Sequence, residues 1–309
     1  MRIVIIGAGA VGVTFGVSLE HMKHEVTYLV RKGRKRALRR MTLVHAVTQA
    51  ARKRDAPVVL EHGDSLPPFE WALLCVRGDQ IDGALETLAQ HVRPDAKVGL
   101  AAASLDDLAK ARAAHPQGPV FSITPSIAAW TEEDGVWRWF TPPLLKTLVS
   151  GEGDAAAQTA ATEFAAALDA AGVPAWSVPS ARQYAVPMLT SGATLIAGWE
   201  LCHWDVDAFG RDHEMRKLTG SAMREAARAF RDDTPGPIIQ LLAYAPGPAL
   251  SLLIAALPRL TDAKTRAMWS HHGPKVGAQT RFMLDDMIAR AGARGLETTN
   301  LRALRTRLA

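Results

Sequence analysis

Cysteine is nearly absent from this chain of 309 residues, where Cys75 and Cys202 are the only two. That scarcity excludes a disulfide framework and a cysteine-rich zinc site, and it suits a reducing, cytoplasmic compartment. No cationic stretch leads from Met1 into an apolar segment with a small-residue cleavage site, so no secretory signal is expected. Charge is missing altogether from QYAVPMLTSGATLIAGW, Gln183 to Trp199. The run is shorter than the roughly 20 apolar residues of a membrane span, and Pro187, Gly192 and Gly198 interrupt it. It reads as a buried helix, at a domain core or along a cleft. No period of 20 to 50 residues recurs, and neither G-x-S-x-G nor a Walker lysine motif is present. Repeat, hydrolase and NTPase readings therefore lack support.

Hydrophobic residues at 48% and charged residues at 22% describe a globular protein, long enough for two domains with cores of their own. The formal charge of +5 comes from scattered basic residues, denser around Arg31 to Arg40 and Arg52 to Arg54. A local anion site explains this better than a nucleic-acid face, and no membrane partner is expected. The first thirty residues alternate as a βαβ unit: a β-branched run Arg2 to Ile6, a turn Gly7 to Gly12, a helix to His21, and a strand Glu25 to Val30. Further strands are expected at Val58, Trp71, Lys97, Val120 and Leu145, the later ones as antiparallel additions, with a helix over Asp79 to His91. After a helix ending at Gly172 and a short extended VPAWSV, helices dominate, with breaks expected at Pro235-Gly236-Pro237, Pro246-Gly247-Pro248, Pro258 and Gly273-Pro274. The expected fold class is α/β, an N-terminal Rossmann-type domain over residues 1–178 followed by an all-α domain over 179–309.

GAGAVG, Gly7 to Gly12, matches G-x-G-x-x-G after a strand and before a helix. Gly7 serves the tight turn, Gly9 the approach of a pyrophosphate, and Gly12 the packing of helix on strand. Ala10 and Val11 complete a loop whose amides and helix dipole receive phosphate; the competing reading is an empty Rossmann-like turn. Where an NAD-binding chain offers an acid at the end of the second strand, this one has RKGRKR, Arg31 to Arg36. Arg31 is best placed for a 2′-phosphate, helped by Lys32, Arg34 and Lys35, so NADPH is preferred; a solvated basic loop is the competing reading.

Four features make the chain resemble the ketopantoate reductase family: GAGAVG with LVRKGRKRAL, WALLCVRGDQIDGAL, EDGVWRWF, and the apolar helix opening the second domain with a closing helix that ends GLETTNLRAL. The resemblance implies hydride transfer from NADPH to a 2-keto acid. It also implies a lysine general acid on the second-domain helix, a glutamate on the closing helix, and asparagines and a serine at the substrate. Carried over one by one, the lysine after the third major strand becomes Arg77, and Ala101, Ala102 and Ala103 replace Gln-Asn-Gly. The catalytic lysine falls on Gln183, the asparagines on Pro187 and Ser191, the glutamate on Gln279, the serine on Ala267, and a preceding aspartate near His271.

Glutamine cannot act as a proton donor, and Ala102, Pro187 and Ala267 cannot hydrogen-bond an anionic substrate. A bulkier or less polar carbonyl or imine compound is expected, for which Trp130, Trp137, Trp139 and Trp199 supply aromatic surface. Gly273-Pro274 reads as a helix start, which puts Lys275 and Gln279 on one helix face and His271 in the approach loop. Lys275 or His271 then stands in for the missing acid; the competing reading is a surface lysine and a capping loop. In ELCHWDVD the spacing of Cys202, His203, Asp205 and Asp207 fits no metal pattern, and Ser104 to Asp107 reads as a helix start. A homodimer is expected from the long helical second domain. The alternative to an enzyme is a catalytically inactive NADPH-binding sensor of the same fold.

Overall fold

The structure, a computed structural model, describes residues 1–38, 40–64, 69–101, 107–132, 134–142, 145–234, 236–261 and 263–308, with backbone alone for 36, 37, 79, 263–265, 267–269, 271, 272 and 275. It divides into two compact units, Met1–Ala181 and Arg182–Ala309.

The first unit opens with β1 (Arg2–Ile6), α1 (Ala10–His21), β2 (Glu25–Val30), β3 (Met41–His45), β4 (Ala51–Arg54), β5 (Val58–Glu61) and β6 (Trp71–Leu74). It continues with α2 (Ile81–His91), β7 (Lys97–Leu100), α3 (Asp107–Ala114), β8 (Val120–Thr124), β9 (Ala128–Thr131), β10 (Trp137–Phe140), β11 (Thr147–Ser150), α4 (Ala155–Ala170) and β12 (Ala175–Ser177). The main sheet has the order β12-β11-β8-β7-β6-β1-β2-β5. Strand β1 lies between β2 and β6, parallel to both, and the chain leaves it first toward β5 and then toward β8. That reversal is a topological switch point, and the loops after β1 and β6 flank it.

An apolar run on β1 is needed because both faces of the strand are covered. Ile3 and Ile5 join Phe15, Trp71, Phe121 and Phe164 on the α1 and α4 side, while Val4 and Ile6 join Ile81, Leu88 and Val98 on the α2 side. The expectation of antiparallel later strands holds for β11, which runs antiparallel to β8, and for β12, which is parallel to β11 and so also runs against the rest of the sheet; it fails for β8, which is parallel to β7.

A second, four-stranded sheet, β4-β3-β10-β9, was not anticipated. It covers α1, with Met41, Leu43, Trp137 and Trp139 in the same core as Val13, Phe15 and Val17. Arg52 and Arg54 oppose Leu43 and Met41 in register. Arg52 donates to the Ala171 carbonyl after α4, at 2.7 Å, and Arg54 pairs with Glu20 of α1, at 3.0 Å. The cations near residue 53 therefore staple this sheet to two helices and do not form the anion site expected of them. Burial pushes the Glu20 carboxyl above its ordinary range, although Arg54 pulls it down.

The second unit comprises α5 (Arg182–Leu201), α6 (Val206–Arg211), α7 (His213–Phe230), α8 (Pro237–Tyr244), α9 (Gly247–Leu260), α10 (Ala263–Ala293) and α11 (Thr299–Arg307). Helix α7 packs against α5, α8, α9, α10 and α11. Asp205 caps α6 and Asp212 caps α7, each carboxylate accepting from first-turn amides. The breaks expected at Pro258 and Pro274 do not occur, because both prolines lie inside helices, α9 and α10. A proline removes one backbone bond from a helix. In α10 that loss is outweighed by packing: Gly273 lies against the Trp204 ring, and Ser270 Oγ donates to the Trp204 carbonyl.

Candidate functional site

In the first unit the site forms at the switch point. Gly7 has φ +99°, and a side chain there would collide with the Cys75 carbonyl. Gly12 lies so close to the Gly7 carbonyl that a Cβ would overlap it. Gly9, the N-cap of α1, has open space where its Cβ would stand. It offers no side-chain cap to the first amides of the helix, including those of Ala10 and Val11, and the first turn carries no acid. A 12-residue helix thus directs free donors and the positive end of its dipole into an open cradle. That is the geometry a dinucleotide diphosphate requires, and the residues present fit it.

Across the switch point, Cys75, Val76 and Arg77 follow β6, and Arg77 is the exposed N-cap of a 3-10 turn over Gly78–Gln80. Burial pushes the Cys75 thiol up to about 12, which keeps it a neutral packing group. Ala102 lies outside the described residues.

The basic loop after β2 is held from beneath. Glu61 pairs with Val30 at the ends of β5 and β2, and its Oε1 accepts from the amides of Gly33, at 2.9 Å, and Lys35, at 3.1 Å. Gly33 takes φ +84°, which lets the chain turn over the carboxylate. With the backbone anchored, the Arg31, Lys32, Arg34 and Lys35 side chains are all exposed. A cleft of about 570 Å³, lined by Gly33, Lys35, Leu38, Pro57, Val59 and Glu61, opens beside them. Glu61 escapes a sequence reading because its contact depends on the pairing of β2 with β5. Glu61→Ala is expected to weaken the binding of a dinucleotide at this loop about tenfold while Glu61→Gln, which keeps an acceptor, stays near wild type. Equal affinities for all three proteins in a titration would remove Glu61 from the site.

In the second unit, Gln183 stands in the first turn of α5, its side chain against the backbone of Gly236. Pro187 is buried on the same helix, and Ser191 Oγ donates to the Pro187 carbonyl at 2.6 Å. The expectation that α5 is buried all round needs correction. Val186, Pro187, Thr190 and Thr194 face the packed side, whereas Tyr184 is 44% exposed and Met188, Ser191 and Leu195 are half-buried.

Lys275, Gln279 and His271 all lie within α10, so His271 is not in a loop and Pro274 does not begin the helix. The side chains of His271, Lys275 and Ala267 are outside the described set, and Gln279 is half-buried. Glu200, at the far end of α5, pairs with Arg281 at 2.8 Å and sits beside Gly277. Arg182, at the near end, bonds instead to the Asp233 carbonyl, and Asp233 pairs with Arg290 and Arg294. Helices α5 and α10 are therefore antiparallel. Seventeen residues at 1.5 Å each put Gln183 about 25 Å from Glu200 and the neighbouring turns of α10. Along the backbone, residues 271, 275 and 279 therefore lie toward the end of α5 that is remote from Gln183.

The four tryptophans expected to line a pocket are core residues, between 3% and 8% exposed. Trp137 and Trp139 pack under the small sheet, and Trp199 stacks edgewise on Trp204.

Residues 3–147 match the family model described as ketopantoate reductase PanE/ApbA. No curated protein sequence matches significantly. Among solved structures, D-mandelate dehydrogenase in ternary complex with NADH and anilino(oxo)acetate is similar at a TM-score of 0.77 and 14% identity, covering 100% of this chain and 97% of that one. The 2-dehydropantoate 2-reductase of Geobacter metallireducens gives 0.76 and 15%, covering 100% and 99%. A dimeric ketopantoate reductase from Staphylococcus aureus gives 0.72 and 17%, covering 100% and 97%. At these identities the likeness establishes a shared fold across the whole chain.

Proposed function

We propose that this chain, whose residues 3–147 belong to the ketopantoate reductase family, is an NADPH-dependent oxidoreductase acting on a carbonyl or imine compound other than ketopantoate. The observation that carries the reading is the pairing of an open glycine cradle at the N-terminus of α1 with four exposed cations on an anchored loop after β2. The cradle suits a diphosphate, and the cations suit a 2′-phosphate, Arg31 giving a planar two-point contact. The cleft beside Gly33 has room for the adenosine end. Arg77 flanks the switch point and adds positive charge to the cofactor side of the site.

Bound there, the nicotinamide nucleotide supplies the hydride. The protein's remaining task is to deliver a proton to the acceptor oxygen or nitrogen. Gln183 orients by hydrogen bonding and donates no proton to the reaction. Tyr184, its exposed neighbour in the first turn of α5, carries the phenol that fills this role. Half-buried Met188 and Leu195 and the back-bonded Ser191 make the other side of α5 largely apolar, which disfavours the doubly polar ketopantoate. Tyr184→Phe is expected to lower kcat about 100-fold, and Lys275→Ala to leave kcat unchanged. Loss of turnover in the lysine variant alone would reverse the assignment.

The structure of the Staphylococcus aureus relative is of a dimeric enzyme, and a homodimer is the state we assign here. A cytoplasmic setting suits the two free thiols. The second reading, a nucleotide-binding sensor without chemistry, draws on Gln183 standing where the family keeps its lysine. Consumption of NADPH with a carbonyl and imine panel decides between the two.

A further inference from the structure

Away from the glycine cradle, the first unit holds a second cleft, of about 510 Å³, between the last turns of α1, the start of β2 and strand β4. Its polar lining includes Glu20, His21, Glu25, Arg52, Lys53 and Arg54, and Val58 adds an apolar wall. Glu25 and Val58 are the first residues of β2 and β5, so this cleft lies at the amino ends of the parallel strands, whereas the cradle lies at their carboxyl ends. Along the 12-residue helix, His21 stands about 16 Å from Ala10 at 1.5 Å per residue.

The cleft contains an unused acceptor. The Glu20 side chain is 9% exposed, its Oε1 accepts from Arg54 at 3.0 Å, and its Oε2 is buried with no hydrogen-bond partner among the described residues. One turn earlier on the same helix face, Gly16 lies so close to the Tyr28 hydroxyl that a Cβ would overlap it, and that hydroxyl is likewise buried and unbonded. A buried oxygen without a donor carries the cost of its lost hydration, which a donor entering the cleft relieves. Burial also pushes the Glu20 carboxyl above its ordinary range, so a cationic donor is the group that best restores its ionised form.

The surrounding charges define the rest of the ligand. A simple anion would meet Glu20 and Glu25, and a simple cation would meet Arg52, Lys53 and Arg54. Arg52 and Arg54 are engaged by the Ala171 carbonyl and by Glu20, whereas Lys53 and His21 are exposed. We propose that this cleft is a second ligand site, one that takes a small zwitterion of amino-acid type, its ammonium donating to Glu20 Oε2 and its carboxylate meeting Lys53 and His21. Val58, 49% exposed, gives the aliphatic body of the ligand a surface to rest on. The volume falls within the range of about 300–1,000 Å³ that small-molecule sites occupy.

The test is isothermal titration calorimetry of the full-length protein with L-leucine, beside 4-methylpentanoate, which lacks the ammonium, and 3-methylbutylamine, which lacks the carboxylate. Glu20→Gln, Lys53→Ala and Gly9→Val are titrated and melted alongside. Lys53 is exposed, so Lys53→Ala is expected to melt like wild type and keeps the test independent of the Glu20–Arg54 staple. The expected result is leucine binding that weakens about tenfold in Glu20→Gln and in Lys53→Ala, is unchanged in Gly9→Val, and is about tenfold tighter than that of either single-charge analogue. Failure of leucine to bind at about 10 mM overturns the site. Binding of 4-methylpentanoate as tight as that of leucine reduces the cleft to a basic surface and overturns the zwitterion. Loss in Gly9→Val with none in Lys53→Ala assigns the ligand to the dinucleotide cradle and also overturns the proposal. Loss in Glu20→Gln alone, with a lowered Tm, reports a structural role for Glu20 and does the same.

Discussion

A Gly9→Val protein is expected to fold and melt close to wild type while losing about 1000-fold in NADPH affinity, some 4 kcal/mol. The fold tolerates the change because nothing lies within 4 Å of a Cβ at Gly9 and the backbone there is ordinary, with φ −79° and ψ −175°. An N-cap exchange of this kind costs about 1 kcal/mol of stability. Binding suffers because the new side chain occupies the space in which a diphosphate must approach the first amides of α1. Gly12→Val is the contrasting case. Its Cβ would overlap the Gly7 carbonyl and press on Ile5 and Cys75, so both stability and binding fall. A titration and a melt on the two variants separate the ligand cradle from the packing glycine. Wild-type NADPH affinity in Gly9→Val would show that the loop is not the diphosphate site.

Glu225→Ala is expected to cost about 3 kcal/mol, lowering Tm by about 10 °C in a domain of this size. Glu225 lies on α7 at 4% exposure. Its Oε1 accepts from the backbone amide and the Nδ2 of Asn300, and its Oε2 accepts from the Leu301 amide at 2.8 Å. Thr298, the N-cap of α11, accepts from Arg302 Nε and makes no side-chain bond to the helix amides, so the carboxylate of α7 caps α11 from across the packing interface. Truncation leaves buried amide donors without an acceptor, and the helix loses the negative charge at its positive end. Glu225→Gln keeps one acceptor and is expected to cost less than half as much. Hydrogen exchange at Asn300 and Leu301 should accelerate in Glu225→Ala before the rest of the helical unit responds; uniform acceleration would indicate general loosening instead of a lost cap.

The sequence was most readable where each residue has a local steric duty. The three glycines of GAGAVG are distinguishable because one turns, one stays open and one packs, and the β-branched run before them has two faces to bury. The small sheet was illegible: β4 reads ARKR, with no apolar alternation, and its register depends on partners in β3. Pro258 and Pro274 misled because a proline is a local signal, whereas tertiary packing decides whether a helix survives it. The tryptophans were misread for a related reason, since aromatic residues serve cores as well as pockets and only burial tells which. The separation of Gln183 from Lys275 follows from α5 and α10 running antiparallel, and no spacing along the chain encodes that direction.

On the function proposed above, this site prefers a nicotinamide nucleotide with a 2′-phosphate. Fluorescence titration of the purified protein with NADPH and NADH side by side, followed by a carbonyl and imine panel that includes ketopantoate, tests it most directly. The account predicts NADPH binding about 100-fold tighter than NADH, from the charge-assisted contacts of Arg31 and its neighbours, and turnover of a bulkier acceptor but not of ketopantoate. Equal affinity for the two nucleotides, or no binding of either, would contradict it.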